Sequence, residues 1–302
     1  MAEREYSLRE LCRQLDLECL GEIDCIIDGL NLCNRISKHD HIISYVTSSE
    51  YVENIRQNEA IKVLILKEDN LIDYSFEKVD RRLAYIVHPY PEQCFYDIHD
   101  YLYEDTDFYN KYQFEKRIGI GCVIHPSAII EDGVDIGNYS IIGANSVIKR
   151  GTVIGNYCEI GCNSTIGSEG FQIIRHNGRN RKIKNVGNVK IEDEVSIGDN
   201  VCVCNSLFED TTHIGKNVKI DNLCYIGHNV IIGNGAVVTS CVSLCGSVIV
   251  EPETWIGANS TILNRVKIGK ESIIGIGSTV TRNISGEMIA YGIAAKEKGR
   301  RI

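Results

Sequence analysis

From Ile124 to Val280 an aliphatic residue returns at every sixth position. The first run is Ile124, Ile130, Ile136, Ile142, Ile148, Ile154, Ile160 and Ile166; a short run follows at Ile191, Ile197 and Val203. The longest runs from Ile214 through Ile220, Ile226, Ile232, Val238, Leu244, Val250, Ile256, Ile262, Ile268 and Ile274 to Val280. Six is not a helical period. It is three times the strand period of two, so one aliphatic side chain per hexad points the same way, inward. Gly often follows the aliphatic residue directly (Gly137, Gly143, Gly155, Gly227), and Asn recurs two places after that (Asn145, Asn163, Asn200, Asn229). Both tolerate the left-handed backbone that turns a corner. Three short strands and three corners make a coil of about eighteen residues, and stacked coils make a triangular prism, a β-solenoid.

The pattern predicts a solenoid over residues 118–285, of about eight or nine coils. It is broken twice. Between Ile166 and Ile191 lies a segment containing the basic stretch from Arg175 to Lys182, and between Val203 and Ile214 the register slips by one residue. Loops are expected at 167–190 and 204–213.

Residues 1–117 lack the hexad. Ser7 followed three places later by Glu10 reads as a helix start, with Leu8, Leu11 and Leu15 as its apolar face. Ile61–Leu66 and Leu83–Val87 read as buried strands. The stretch from Pro91 to Lys116 is expected to be helical for most of its length. A small α/β domain thus precedes the solenoid, and residues 286–302 are expected to leave the prism as a tail.

A chain of 302 residues supports two cores. Its net charge of -9, without a long basic run, argues against nucleic acid. The polar start and the lack of a long apolar stretch predict no signal peptide, no transmembrane segment and a cytoplasmic location. Thirteen cysteines are scattered without a CxxC pair, which reads as reduced thiols rather than disulfides or a metal site. Cys158 and Cys224 fall on the small inward position of a hexad.

Three of these residues suggest chemistry. His228 lies in Ile226-Gly227-His228-Asn229-Val230-Ile231, two places after the inward Ile226. Gly246 follows it by one coil length, so it stacks above His228 at roughly the inter-strand spacing of 4.8 Å. An imidazole base and a glycine N–H facing one gap are what acyl transfer needs: a proton acceptor and an oxyanion donor. Arg265 is nearly aligned, two coils above His228.

The chain resembles the left-handed β-helix acyltransferases, and among them the UDP-3-O-acyl-glucosamine N-acyltransferases of lipid A biosynthesis. The resemblance rests on Leu8 through Gly21, His88-Pro89-Tyr90, Ile124-His125-Pro126-Ser127-Ala128 and Ile166-Gly167-Ser168-Glu169-Gly170-Phe171. Its most specific part is Asp221-Asn222-Leu223-Cys224-Tyr225-Ile226-Gly227-His228-Asn229-Val230. It implies a mainly β fold, a left-handed parallel β-helix after a small α/β nucleotide-sugar-binding domain. It implies His228 as general base, Asp221 as the acidic residue preceding it, and Gly246 as the oxyanion donor. It also implies Tyr45 and Tyr51 as aromatics holding the uracil, with Ser48 where the family has Asn; Asn229 and Arg265 complete the expected substrate-binding set. A homotrimer with sites between subunits, a UDP- or dTDP-linked amino sugar as acceptor, and acyl-CoA or acyl carrier protein as co-substrate follow from it. No metal and no tightly bound cofactor is implied.

This chain departs from the family pattern at three places. Arg265 stands where the family has a second His. The family's acidic-arginine-glycine stretch reads Cys204-Asn205-Ser206-Leu207-Phe208-Glu209-Asp210 here. The ending Tyr291-Gly292-Ile293-Ala294-Ala295-Lys296 is more like that of short-chain sugar acetyltransferases, which favours CoA and a short acyl group over carrier protein. The competing readings are an acetyl-CoA-dependent sugar O-acetyltransferase, a non-catalytic sugar-nucleotide scaffold, and a zinc hydratase; the last needs three suitably spaced His, against which His213 and His228 offer two.

Overall fold

The computed structural model describes residues 5–35, 37–73, 83–176, 178–293 and 296–300. The chain divides into two compact units, residues 1–110 with 172–184, and residues 111–171 with 185–302.

The first unit is built on a five-stranded sheet ordered Cys19–Gly21, Ala84–Val87, Ile61–Leu66, Ile42–Tyr45 and Gly29–Leu30. All its pairs are parallel except that of Cys19–Gly21 with Ala84–Val87. The central strand Ile61–Leu66 is apolar because both faces are covered: Val63, Leu64, Ile65 and Leu66 are fully buried. Ser7 caps the helix Leu8–Gln14 by accepting from the Glu10 N–H, and Leu8 and Leu11 enter the core. Leu15 lies just beyond the helix end and is half-buried, so the expected third member of the apolar face is outside the helix.

The stretch from Pro91 to Lys116 is helical for just over half its length, as Pro91–Glu104. Pro91 starts it where no N–H is needed. Two residues past its end, the Thr106 hydroxyl donates to the Leu102 carbonyl at 2.6 Å and accepts from the Phe108 N–H, which turns the chain off the helix axis. The first solenoid break is also not a simple loop. Gln172–His176 and Arg179–Ile183 form an antiparallel hairpin that belongs to the first unit. Arg181, in the basic stretch, is paired with both Asp97 and Asp100 of the helix.

The second unit is a left-handed parallel β-helix with three sheets. One face runs from Ile129–Ile130 to Thr279–Val280, a second from Arg117–Ile118 to Lys267–Ile268, and a third from Val123–Ile124 to Ile273–Ile274. The first two faces hold eight strands each. The aliphatic ladder forms the core: Ile148, Ile166, Val203, Ile226, Leu244 and Val280 are fully buried. The small inward residues join successive coils. Ser140 donates to the Gly155 carbonyl at 2.9 Å, Ser146 to Gly161 at 2.6 Å and Ser164 to Gly198 at 2.8 Å. Cys158 and Cys224 use the same geometry, their thiols directed at the Glu192 and Thr239 carbonyls.

The segment expected to leave the prism instead extends the third sheet. Met288–Tyr291 pairs parallel with Ile273–Ile274, and Lys296–Arg300 returns antiparallel to it. Ala290 is buried there as a further rung of the core. Both solenoid breaks fall on one corner, between the first face and the second. From Ile166 to Ile191 is 25 residues and from Val203 to Ile214 is 11, where a regular corner such as Ile148 to Ile154 takes six. The apparent slip at Val203 is therefore a short insertion at a corner already used once, and the three faces keep their order through it.

Candidate active site

His228 occupies this same corner. The parallel register sets an offset of one coil, His213 opposite Ile231 and Ile231 opposite Ile249. By that offset Gly246 stacks one coil above His228, and Ser247 N–H donates to the His228 carbonyl at 2.8 Å. His228 and Gly246 are half-buried. A Cβ built on Gly246 would lie 2.5 Å from His228 Nε2 and 2.7 Å from Cε1. The imidazole thus rests against the Gly246 backbone, at a distance only glycine permits. From the other side, a Cβ on Gly170 would sit 3.0 Å from His228 Cβ. The Gly246 N–H is taken by no backbone carbonyl among the described residues, whereas its carbonyl accepts from Arg265 N–H at 3.0 Å.

Asn229 turns the corner with φ 58, as Asn145, Asn163 and Asn259 do on other coils. Its side chain faces its own neighbours. Asn229 Oδ1 accepts from the Leu207 N–H at 3.0 Å, and Nδ2 lies 3.5 Å from the Leu207 carbonyl and donates to Asp210 Oδ2 at 3.1 Å. His228 Nδ1 is 2.9 Å from the same Oδ1. Because Oδ1 is an acceptor, Nδ1 holds the ring proton in the neutral form, and Nε2, on the Gly246 side, holds the lone pair.

Asp210 comes from the short insertion. That insertion is a packed element, with Ser206, Leu207 and Phe208 buried. It is laced to the return of the first insertion. Asn185 Nδ2 donates to the Asn205 carbonyl at 3.0 Å, Asn205 Nδ2 donates back to Asn185 at 3.1 Å, and Gly187 N–H donates to Ser206. A side chain on Gly187 would run into the Asp210 and Phe208 carbonyls.

The other expected site residues are placed differently. Asp221 is exposed on the preceding corner of its coil, between the third face and the first, where Oδ1 accepts from the Asn222 N–H at 2.7 Å. Asp210 is linked to His228 through the Asn229 amide. Asn229, expected to meet substrate, has its amide turned toward Leu207, His228 and Asp210. Arg265 is exposed with φ 64, in register with Asn229 rather than with His228. In the first unit, Tyr45 packs on Phe95 at 5.0 Å and its hydroxyl donates to Glu92 at 3.2 Å; burial pushes its phenol above the usual range. Ser48 caps the short turn Ser49–Tyr51, and Tyr51 packs half-buried on the core. Beside Glu92 lies a cavity of about 220 Å³ lined by Thr47, Lys67, Tyr90 and Arg175 among others. Among the thiols, Cys202 is lowered to about 6 by its hydrogen bond with Cys204, and it lies on the flat first face opposite Tyr225.

Sequence reasoning passed over Asp210. Its contact with Asn229 is made by an irregular insertion, to which the hexad stride does not apply.

The comparisons with known proteins agree with this architecture. A family model described as bacterial transferase hexapeptide (six repeats) matches residues 116–150, 136–168 and 211–246, and one described as hexapeptide repeat of succinyl-transferase matches 247–282. A UDP-3-O-acylglucosamine N-acyltransferase of Methylobacillus flagellatus is 32% identical over 264 residues, covering 82% of this chain and 74% of that protein. The Helicobacter pylori protein of the same name is 34% identical over 263 residues, covering 80% and 74%. Among solved structures, a UDP-N-acetylglucosamine acyltransferase from Bacteroides fragilis aligns over 62% of this chain and 71% of its own, with a TM-score of 0.55 and 25% identity. Among the described residues no helix is long and apolar enough to cross a membrane. The chain is an acyltransferase of the hexapeptide-repeat class and belongs to the UDP-3-O-acylglucosamine N-acyltransferase family.

Proposed function

We propose that the protein transfers an acyl group from a pantetheine thioester to the amine of a UDP-linked amino sugar, in lipid A or surface-glycan synthesis. The observation that supports this most directly is the seating of the His228 imidazole against Gly246. The amine needs a base, and the thioester carbonyl needs a donor for the oxygen that becomes negative. His228 Nε2 takes a proton from the amine as its nitrogen attacks the carbonyl carbon. The Gly246 N–H donates to the resulting oxyanion. The tetrahedral intermediate collapses with loss of the pantetheine thiolate, which recovers the proton from the imidazolium and leaves as thiol. An unperturbed imidazole pKa of about 6.5 suits both transfers near neutral pH. The column of backbone and glycine at this corner is shallow, and a homotrimer with neighbouring prisms flanking it gives the site its walls.

The name of the relatives supports a UDP-3-O-acylglucosamine acceptor. Arg265, exposed two coils above Asn229, is the residue on this corner suited to a phosphate of either substrate. The test offers UDP-3-O-acylglucosamine with acyl carrier protein thioesters and with short and long acyl-CoAs, and reads thiol release and N-acylated product. Turnover with an amine acceptor is expected, and His228→Ala is expected to lower it by roughly 10²–10⁴ while leaving the assembly intact. Transfer only to a sugar hydroxyl would favour the O-acetyltransferase reading. Absence of thiol release with every donor would favour a binding scaffold. A fully active monomer by light scattering would refute the trimer.

A further inference from the structure

We propose that Asp210 is a positioning residue for this reaction: it acts through the Asn229 amide to hold His228 in the tautomer that leaves Nε2 basic. The proposal rests on the reading of His228 Nε2 as the base and adds the groups behind it.

The chain of contacts is directional. Asp210 Oδ2 accepts from Asn229 Nδ2 at 3.1 Å, and Asn229 Oδ1 accepts from His228 Nδ1–H at 2.9 Å. The amide cannot be reversed. The Leu207 N–H already donates to Oδ1 at 3.0 Å, while the Leu207 carbonyl and the Asp210 carboxylate face Nδ2. A flipped amide would set NH₂ against N–H and oxygen against two acceptors. Leu207 therefore fixes the amide, and the amide fixes the ring proton on Nδ1.

Corner asparagines elsewhere answer a backbone need. Asn145, left-handed on the corner between the third face and the first, is exposed, and its Nδ2 donates to Asn163 Oδ1 at 3.3 Å. Asn229 meets that same need with φ 58, and its side chain does a second task. The rigidity comes from below. The insertion bearing Leu207 and Asp210 is buried and bonded across to Asn185 and Gly187, so the carboxylate is held in place. When Nε2 takes the substrate proton, the positive ring faces an oriented amide oxygen with a half-buried carboxylate one bond further on. That arrangement favours the imidazolium without placing a full charge against it.

Selective ¹⁵N-histidine labelling reports the ring state directly. In the neutral wild-type protein His228, identified by loss of its signals in His228→Gln, is expected to show a protonated Nδ1 and a bare Nε2. Asn229→Ala and Asp210→Ala are expected to give a mixture of tautomers and a roughly tenfold to hundredfold lower kcat/KM, with KM little changed. Asp210→Asn retains a polar side chain but loses the charge. Its acid limb in kcat/KM against pH is expected to move to lower pH, because the imidazolium is less favoured. Asn229→Asp, which puts a carboxylate directly on Nδ1, is expected to move the limb to higher pH. A wild-type tautomer in every variant, or an Asp210→Asn profile superimposable on wild type, would overturn the relay. Full turnover by His228→Gln would overturn the assigned base, and with it the catalytic use of the relay, while the spectra would still report whether Asp210 and Asn229 fix the ring.

Discussion

Two histidines, one in each unit, show how the same side chain is put to different ends. His99, on the helix Pro91–Glu104, is fully buried with both nitrogens engaged: Nε2 donates to the Lys184 carbonyl at 3.0 Å, and Nδ1 accepts from the Tyr109 hydroxyl at 2.7 Å. Burial holds its pKa below the usual imidazole range. His228 is half-buried, with Nδ1 committed to Asn229 and Nε2 turned to the Gly246 backbone. The two rings therefore adopt opposite tautomers. His99 is a hydrogen-bonding strut whose protonation the fold opposes. His228 is half-buried at a corner of the prism, with Nε2 set against the Gly246 backbone. Orientation and access separate the structural ring from the candidate catalytic one.

That contrast can be broken most sharply at Gly246. Gly246→Ala is expected to cost roughly 10²-fold in turnover, because the new methyl displaces the imidazole by a fraction of its own length, and misplacement on that scale is expensive. Its φ is not in the left-handed range, so the thermal midpoint is expected to move little. Steady-state kinetics beside a melting curve checks both halves. His99→Ala should do the reverse. It leaves the Lys184 carbonyl and the Tyr109 hydroxyl short of a partner in a dry interior, for an expected loss of roughly 2–4 kcal/mol from the first unit. Denaturant unfolding, followed by tyrosine fluorescence, measures it.

The smallest effect concerns pH. His99 has a folded pKa below its unfolded one. Below about pH 6.5 the unfolded chain therefore binds the proton first, and stability falls as pH falls. The contribution is full above the unfolded pKa and is lost progressively as pH drops toward the folded one. Asp100 partly offsets the burial and Arg181 adds to it. Unfolding midpoints between pH 7 and 5 should decline in wild type and flatten in His99→Gln; equal slopes in the two would remove the burial argument.

The solenoid was legible because its signal is a period, repeated through coil after coil, and each inward aliphatic residue reports the same geometry. The pairing of His228 with Gly246 was legible for the same reason: one coil length separates them. The helix end at Glu104 was not, since it is marked only by local hydrogen bonds of Asp105 and Thr106. Nor was the hairpin from Gln172 to Ile183, whose partner acids on the helix are some eighty residues away in sequence. Nor was the packing of Tyr45 on Phe95, or the bond from its hydroxyl to Glu92, announced by any pattern in the sequence. The side-chain bonds of Asn229 were not legible either, because Asn at a corner has a backbone reason to be there, and that reason conceals any other.

The coil also acts as a ruler. Every group on the corner column is set at multiples of about 4.8 Å, whatever its distance along the chain. Duplicating a whole coil above Arg265 would lengthen the prism and leave the spacing beneath it unchanged. Duplicating one between Asn229 and Gly246 would lift the glycine a full step from the imidazole and put another backbone in its place. The stretch from His228 to Gly246 is thus a fixed scale inside an otherwise extensible rod.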